Sequence, residues 1–168
     1  MGPNLEGLRA LAADPAGSAQ RLAFLPWVAG CAVAGITDGT IDVAAAGIAD
    51  LEQSTPVEPG TRFRPGSTTK LVTATIAMQC VEDGLCALDA PVVRFIPELD
   101  LADSDRMERV TIRHLLSHSS GIDAGDFFVD TGDDDDCRAR YVDALSGTDF
   151  LFEPGAYFSY CNAGTILA

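Results

Sequence analysis

Ser67 and Lys70, in the stretch PGSTTKLVTA (65–74), are the residues whose types and spacing first suggest chemistry. Residues three apart on a helix share a face, so hydroxyl and amine can come within hydrogen-bond reach. A serine at a helix start also sits where backbone N–H groups and the helix dipole favour developing negative charge. Nucleophile, activator and electropositive site would then come from four consecutive residues. S-x-x-K also occurs by chance, and the plain alternative is two ordinary residues in a first helical turn.

The element that must carry the pair is STTKLVTATIAMQCVEDG. It reads as a helix over about 67–83, capped by Gly66 or Ser67 and stopped by Gly84. Leu71, Val72, Ala74, Ile76, Ala77, Met78, Cys80 and Val81 leave it almost no polar face. Such a helix is expected to lie buried in the middle of a domain. Upstream, WVAGCAVAGI and IDVAAAGIAD flank TDGT, and Asp-Gly between two such runs is a hairpin signal. Two antiparallel strands are expected, at about 28–36 and 41–48. Residues 4–24 read as a helix, with Leu5, Leu8 and Leu11 at helical spacing. Downstream, LDAPVVRFIPEL reads as a short helix between prolines. VTIRHLLSHSSGI starts at a Thr111 cap and ends in a turn at Ser119-Ser120-Gly121. A further helix is expected at about 136–146, behind acids that suit its dipole.

Hydrophobic residues make up 47% of the 168 and charged ones 21%, which is a globular composition and not a disordered one. The formal net charge of -14 argues against nucleic acid and against an anionic membrane surface, both of which need basic patches. No stretch approaches a membrane span. The first residues lack the basic start and unbroken apolar run of a secretory signal. Cys31, Cys80, Cys86, Cys137 and Cys161 are odd in number and match no zinc spacing, so they read as free thiols of a reducing compartment. These features lean towards a cytoplasmic protein. Asp133 to Asp136 lack the alternating ligands and closing Glu of an EF-hand and read as a solvated loop and helix cap. No cofactor and no metal are expected.

Four ordered stretches then carry a resemblance: Ser67 to Lys70, DGLCALDAPVVRFIPEL, Leu115 to Gly121 (LLSHSSG), and Tyr160-Cys161-Asn162 after the Pro154-Gly155 turn. Together they resemble the serine β-lactamase and penicillin-binding-protein superfamily, whose S-x-x-K motif they share. The best match is the branch of class C β-lactamases, D-alanyl-D-alanine carboxypeptidases and related esterases, over about residues 24–168. The resemblance implies an α/β (α+β) fold, β-lactamase-like, with a sheet domain fused to a helical domain and Ser67 at their junction. Residues 24–50 would supply the sheet hairpin and 65–168 a mainly helical region. It implies Ser67 as the acylated nucleophile, Lys70 as its activator, Tyr160 as general base and Asn162 as a substrate-orienting residue. His118 and Gly121 would have a structural role near the site, holding the turn between the motifs. His114 reads as an ordinary helix residue. Whether Lys70 or Tyr160 takes the serine proton is left open. The middle residue of Y-x-N is often Ser in relatives; here it is Cys161, expected to point away.

The implied activity is that of a serine hydrolase acting through an acyl-enzyme. The substrate would be a small-molecule ester, amide, β-lactam or D-amino-acid peptide. The alternative is a non-catalytic relative that only binds penicillin-like or peptidyl ligands; a second is a helical interaction domain with a coincidental motif order. The family's third motif, a Lys/His-(Thr/Ser)-Gly strand that would give one oxyanion N–H, is not among these residues. Losing one such donor typically costs about 100- to 1000-fold in rate. The sequence stops inside an apolar pattern at Ala168. The expectation is the N-terminal portion of one longer domain, inactive and poorly stable alone.

Overall fold

The computed structural model describes residues 7, 9, 10, 13–123 and 129–168. Leu5, Leu8 and Leu11 of the expected first helix lie outside the described residues. The chain divides into two compact units, Met1–Arg64 and Pro65–Ala168.

In the first unit, α1 spans Pro15–Ala23. Asp14 caps it, its Oδ1 accepting the Gly17 N–H at 2.9 Å, and Pro15 fits the first turn because no N–H is needed there. β1 (Gly30–Thr37) and β2 (Thr40–Asp50) pair antiparallel, with Gly30 opposite Gly47 and Thr37 opposite Thr40. Asp38 (φ 49) and Gly39 (φ 79) form the two-residue turn, both in the positive-φ region that a type I′ hairpin needs. α1 packs on both strands, and the Cys31 thiol donates to the Ala19 carbonyl at 3.3 Å.

The sheet has three strands rather than the two expected. β3 (Thr55–Pro56) pairs antiparallel with β2, in the order β1-β2-β3. Two residues, one an edge proline, leave no alternation to detect in a sequence. Asp50 Oδ1 turns the chain into β3 by accepting from the N–H groups of Glu52 and Gln53, at 2.9 and 3.1 Å.

In the second unit, a 3-10 turn (Gly66–Thr68) leads into α2 (Thr69–Glu82). Ser67 therefore precedes the α-helix, and neither it nor Thr68 makes a side-chain cap. Gly84 (φ 72) ends the helix as expected: its N–H bonds the Val81 carbonyl and the Leu85 N–H bonds that of Cys80 at 2.9 Å, a Schellman stop. The expectation of a buried helix is corrected. Only Ala77 of α2 is buried, and Leu71, Val72 and Ile76 are exposed. An all-apolar helix signals partners on every side, and the described elements of this unit line only one of them.

The rest of the unit is short helices on a shared core. The segment between prolines is a 3-10 turn, Val92–Arg94. α3 (Ser104–Met107) was not expected; Asp103 starts it by accepting the Arg106 N–H at 2.9 Å. α4 spans Ile112–Leu116 behind the Thr111 cap. His114 does more than occupy a helix: its Nδ1 accepts the Thr111 N–H while Thr111 Oγ1 accepts the His114 N–H, both at 3.3 Å. α5 spans Cys137–Ala144 and α6 Asn162–Leu167. Arg140 ties the acidic loop down, donating to the Thr131 carbonyl and to Asp134; Asp136 stands at the N-cap position without a side-chain bond. Val92, Val110, Leu115, Ile122, Phe150 and Ala163 meet in the core.

The turn after α4 is fixed by pairing with a later segment. The Gly121 carbonyl accepts the Leu151 N–H at 2.7 Å, and Ile122 bridges Phe150. Gly121 has φ 78, and a Cβ there would lie 2.2 Å from the Phe152 carbonyl oxygen. Gly84 has a similar φ with nothing within 4 Å. Gly84→Ala is therefore expected to cost about 1 kcal/mol from backbone strain alone, and Gly121→Ala at least about twice that. Denaturant unfolding of the two variants checks the order; equal costs would show that the Phe152 carbonyl gives way freely.

Candidate active site

Ser67 stands in the turn before α2, and Lys70 comes one turn later on α2, so both side chains leave on one side. The second wall comes from Tyr160 and Asn162, more than ninety residues away in sequence. Ser67 Oγ lies 2.7 Å from Tyr160 OH, a hydrogen bond across 93 residues. Lys70 Nζ donates to Asn162 Oδ1 at 2.7 Å and stands 5.0 Å from the centroid of the Tyr160 ring. The four residues named from the sequence thus meet in one place.

The backbone at Cys161 explains how two residues from one tripeptide serve the site. It is extended (φ -131, ψ 115). Successive side chains of extended chain point to opposite sides, so Tyr160 and Asn162 face Ser67 and Lys70 while Cys161 turns the other way. Cys161 is buried, and its sulfur caps α6 by accepting the Gly164 N–H at 3.3 Å. The sequence reading missed that capping role; a small polarizable side chain ahead of Asn-Ala-Gly was its only signal.

His118 and Gly121 hold the neighbouring turn. The His118 carbonyl accepts the Ser159 N–H at 2.8 Å, and its Nδ1 accepts the Cys161 N–H at 3.2 Å. Its ring lies 4.6 Å from that of Tyr160 at 34°. Beside Ser67, Lys70 and Asn162 a groove of about 840 Å³ opens along α2, with Thr73, Ile76 and Cys80 on one side and Ile112, Leu115 and Ile166 on the other. Those residues are scattered through the sequence and carried no joint signal. Among the described residues no group of His, Cys, Asp and Glu could hold a metal ion, and all five cysteines are free.

With this geometry in place, residues 20–168 match the family model described as Beta-lactamase. The chain belongs to the beta-lactamase family. It is 41% identical over 137 residues to Penicillin-binding protein 4 of Amycolatopsis lactamdurans, covering 82% of this chain and 36% of that one. It is 35% identical over 136 residues to Esterase EstB of Burkholderia gladioli, covering 73% of this chain and 35% of the esterase. The solved structure of SurE with D-Leu superposes with a TM-score of 0.67 at 30% identity, covering 95% of this chain and 36% of that one. The chain spans about a third of the length of the curated relatives it matches. The β-lactamase-like fold, read here as helices with a small antiparallel sheet, stands on the same matches. Among the described residues no helix of this family member is long and apolar enough to cross a membrane.

Electrostatics act on Tyr160. The Lys70 ammonium beside it, then the Ser67 hydroxyl bonded to it, hold the Tyr160 phenol below its ordinary value of 10.0, and burial opposes them. A lowered value means the phenolate is reached at lower pH, so Tyr160 is expected to ionise with a midpoint below 10. Removing the cation takes away the first of the lowering causes, and Lys70→Ala is expected to move that midpoint upward. Ultraviolet difference titration, with Tyr160→Phe subtracted, measures both. A midpoint unmoved by Lys70→Ala would show that the ammonium does not act on the phenol.

Proposed function

We propose that the whole protein is a serine hydrolase that cleaves an ester, amide or β-lactam bond through an acyl-enzyme on Ser67. The observation that carries this reading is the 2.7 Å contact between Ser67 Oγ and Tyr160 OH, beside a lysine held by Asn162. In the first step Ser67 Oγ bonds to the substrate carbonyl carbon. Its proton passes to the Tyr160 phenolate, and the carbonyl π pair moves onto the oxygen. The tetrahedral centre collapses, the bond to the alcohol or amine breaks, and the leaving group takes the proton back from Tyr160. Water then repeats the sequence on the acyl-serine and returns the acid and free Ser67. Tyr160 takes the proton rather than Lys70, because Tyr160 touches Ser67 directly while Lys70 donates to Asn162. Lys70 keeps the phenolate accessible, and Asn162 positions Lys70 and faces the substrate.

The relatives' names support the range of substrates without choosing among them: one is a penicillin-binding protein and another an esterase. The first name also favours a second reading, a module that is acylated and never turns over.

Mass spectrometry of the whole protein after a fluorescent penicillin or a fluorophosphonate tests the reading. The adduct is expected on Ser67 and is expected to vanish in Ser67→Ala; labelling that survives the substitution would sink the assignment. Adduct without ester or amide turnover would favour the binding module. Lys70→Arg is expected to be nearly as damaging as Lys70→Ala, because a planar guanidinium does not fit a site made for a point charge. An arginine variant within about tenfold of wild type would show that charge alone suffices.

A further inference from the structure

His118 is half-buried, and its backbone lies in the left-handed region at φ 56. Few non-glycine residues adopt that conformation, histidine being among those enriched there, and it persists only where surrounding contacts fix it. Here the contacts are with the residues on either side of Tyr160. The His118 carbonyl accepts from Ser159 at 2.8 Å, and the His118 imidazole Nδ1 accepts from Cys161 at 3.2 Å. One residue thus takes hold of both peptide N–H groups that flank Tyr160 in sequence. The imidazole ring also lies against the phenol ring, 4.6 Å between centroids, and the Phe158 ring meets it edge-on at 5.9 Å. The left-handed backbone at His118 is what lets its side chain and its carbonyl reach both groups.

We propose that His118 is a positioning residue for Tyr160: it clamps the peptide on both sides of the phenol and backs its ring, so that Tyr160 OH stays on Ser67 Oγ. The clamp rests on the reading of Tyr160 as the proton acceptor, and it assigns His118 no proton transfer of its own. An accepting Nδ1 carries no hydrogen, so the bond to Cys161 is an acceptor's role that another acceptor at the same place can fill. Asparagine offers one: its Oδ1 occupies the position of Nδ1, and asparagine also tolerates positive φ. Glutamine carries its oxygen one atom further out, near Nε2, and cannot reach the Cys161 N–H without moving the turn.

The test compares His118→Asn with His118→Gln in the whole protein, reading kcat and KM for an activated ester and the titration midpoint of Tyr160. The Gln variant is expected to lose on the order of 100-fold in kcat, the scale of a roughly 1 Å misplacement, with KM changed by less than about threefold. Its Tyr160 midpoint should rise towards the ordinary value, because the phenol leaves Lys70 and Ser67. The Asn variant should stay within about tenfold of wild type in kcat and keep the midpoint low. Equal behaviour of the two variants in both readings would overturn the clamp. Should the Gln variant melt before it can be assayed, a folded Asn variant with a raised midpoint overturns it equally, and an unmoved midpoint supports it. Tyr160→Phe separates the two layers. If it leaves turnover intact, Tyr160 is not the proton acceptor, while the midpoint still reports whether His118 holds the ring.

Discussion

The site depends on a contact that must be closed across 93 residues: Ser67 Oγ to Tyr160 OH at 2.7 Å. Closing so long a loop costs little more than closing one of half its length, because loop entropy grows only logarithmically. Bringing the ends together is therefore not the demanding part. Keeping two hydroxyls at hydrogen-bond distance is, since a fraction of an ångström on either side breaks the contact. The second tie, Lys70 to Asn162 across 92 residues, fixes the same two segments again, three residues on from Ser67 and two on from Tyr160. Two bonds between the same segments resist rotation where one would act as a pivot. Beneath them lie Leu115, Cys161 and Ala163, all almost fully buried, so the Tyr160 side of the site rests on packed core and not on a free loop.

The tripeptide Tyr160-Cys161-Asn162 belongs to that core and to the site at once. Extended backbone sends alternate side chains to opposite sides, and here one side faces Ser67 and Lys70 and the other the interior. Cys161 uses its interior position to start α6, its sulfur accepting the Gly164 N–H. Gly164 in turn sits close to α4, where a Cβ would lie 3.4 Å from the Leu115 carbonyl oxygen. The turn at 117–121, α4 and α6 thus pack together, with the Tyr160 and Asn162 side chains on the side that faces Ser67 and Lys70. A thiol serves at position 161 as a hydroxyl would: the position asks for a small acceptor that can be buried, not for a reacting group.

What could be read beforehand divides along the same physical line. Helical spacing placed Ser67 and Lys70 on one side, while their chemistry, like that of Tyr160 and Asn162, was legible from the resemblance carried by four ordered stretches. The Asp38-Gly39 turn, the Thr111 cap and the Gly84 stop were legible because each depends on a local conformation that few residue types favour. The 3-10 turn under Ser67 was not. The same residues can begin an i→i+3 or an i→i+4 ladder, and helix ends are where the two compete. β3 was too short to alternate. The surroundings of α2 were misread for a different reason: an apolar face states that something can pack there, and not which described element does. The left-handed backbone at His118 and the groove beside Lys70 are tertiary facts, made by residues far apart in the chain.

The choice of partner for Lys70 shows why the site is built from an amide and a phenol rather than from carboxylates. The net charge is -14, so acidic side chains are plentiful, and the unit uses them as partners for Arg106, Arg113 and Arg140 at its surface. At the site the ammonium meets the neutral Oδ1 of Asn162 instead. An amide oxygen fixes the position of the ammonium as a carboxylate oxygen would, but it brings no opposing charge. The cation is therefore held without being neutralised, and its field falls on the nearest group able to respond, the Tyr160 phenol 5.0 Å from ring centroid to Nζ. A carboxylate at the same place would compensate the lysine and raise the ionisation of the phenol beside it. Holding a charge with a neutral acceptor keeps position and electrostatic effect separate, and Lys70 stays free to lower the ionisation of the Tyr160 phenol beside it.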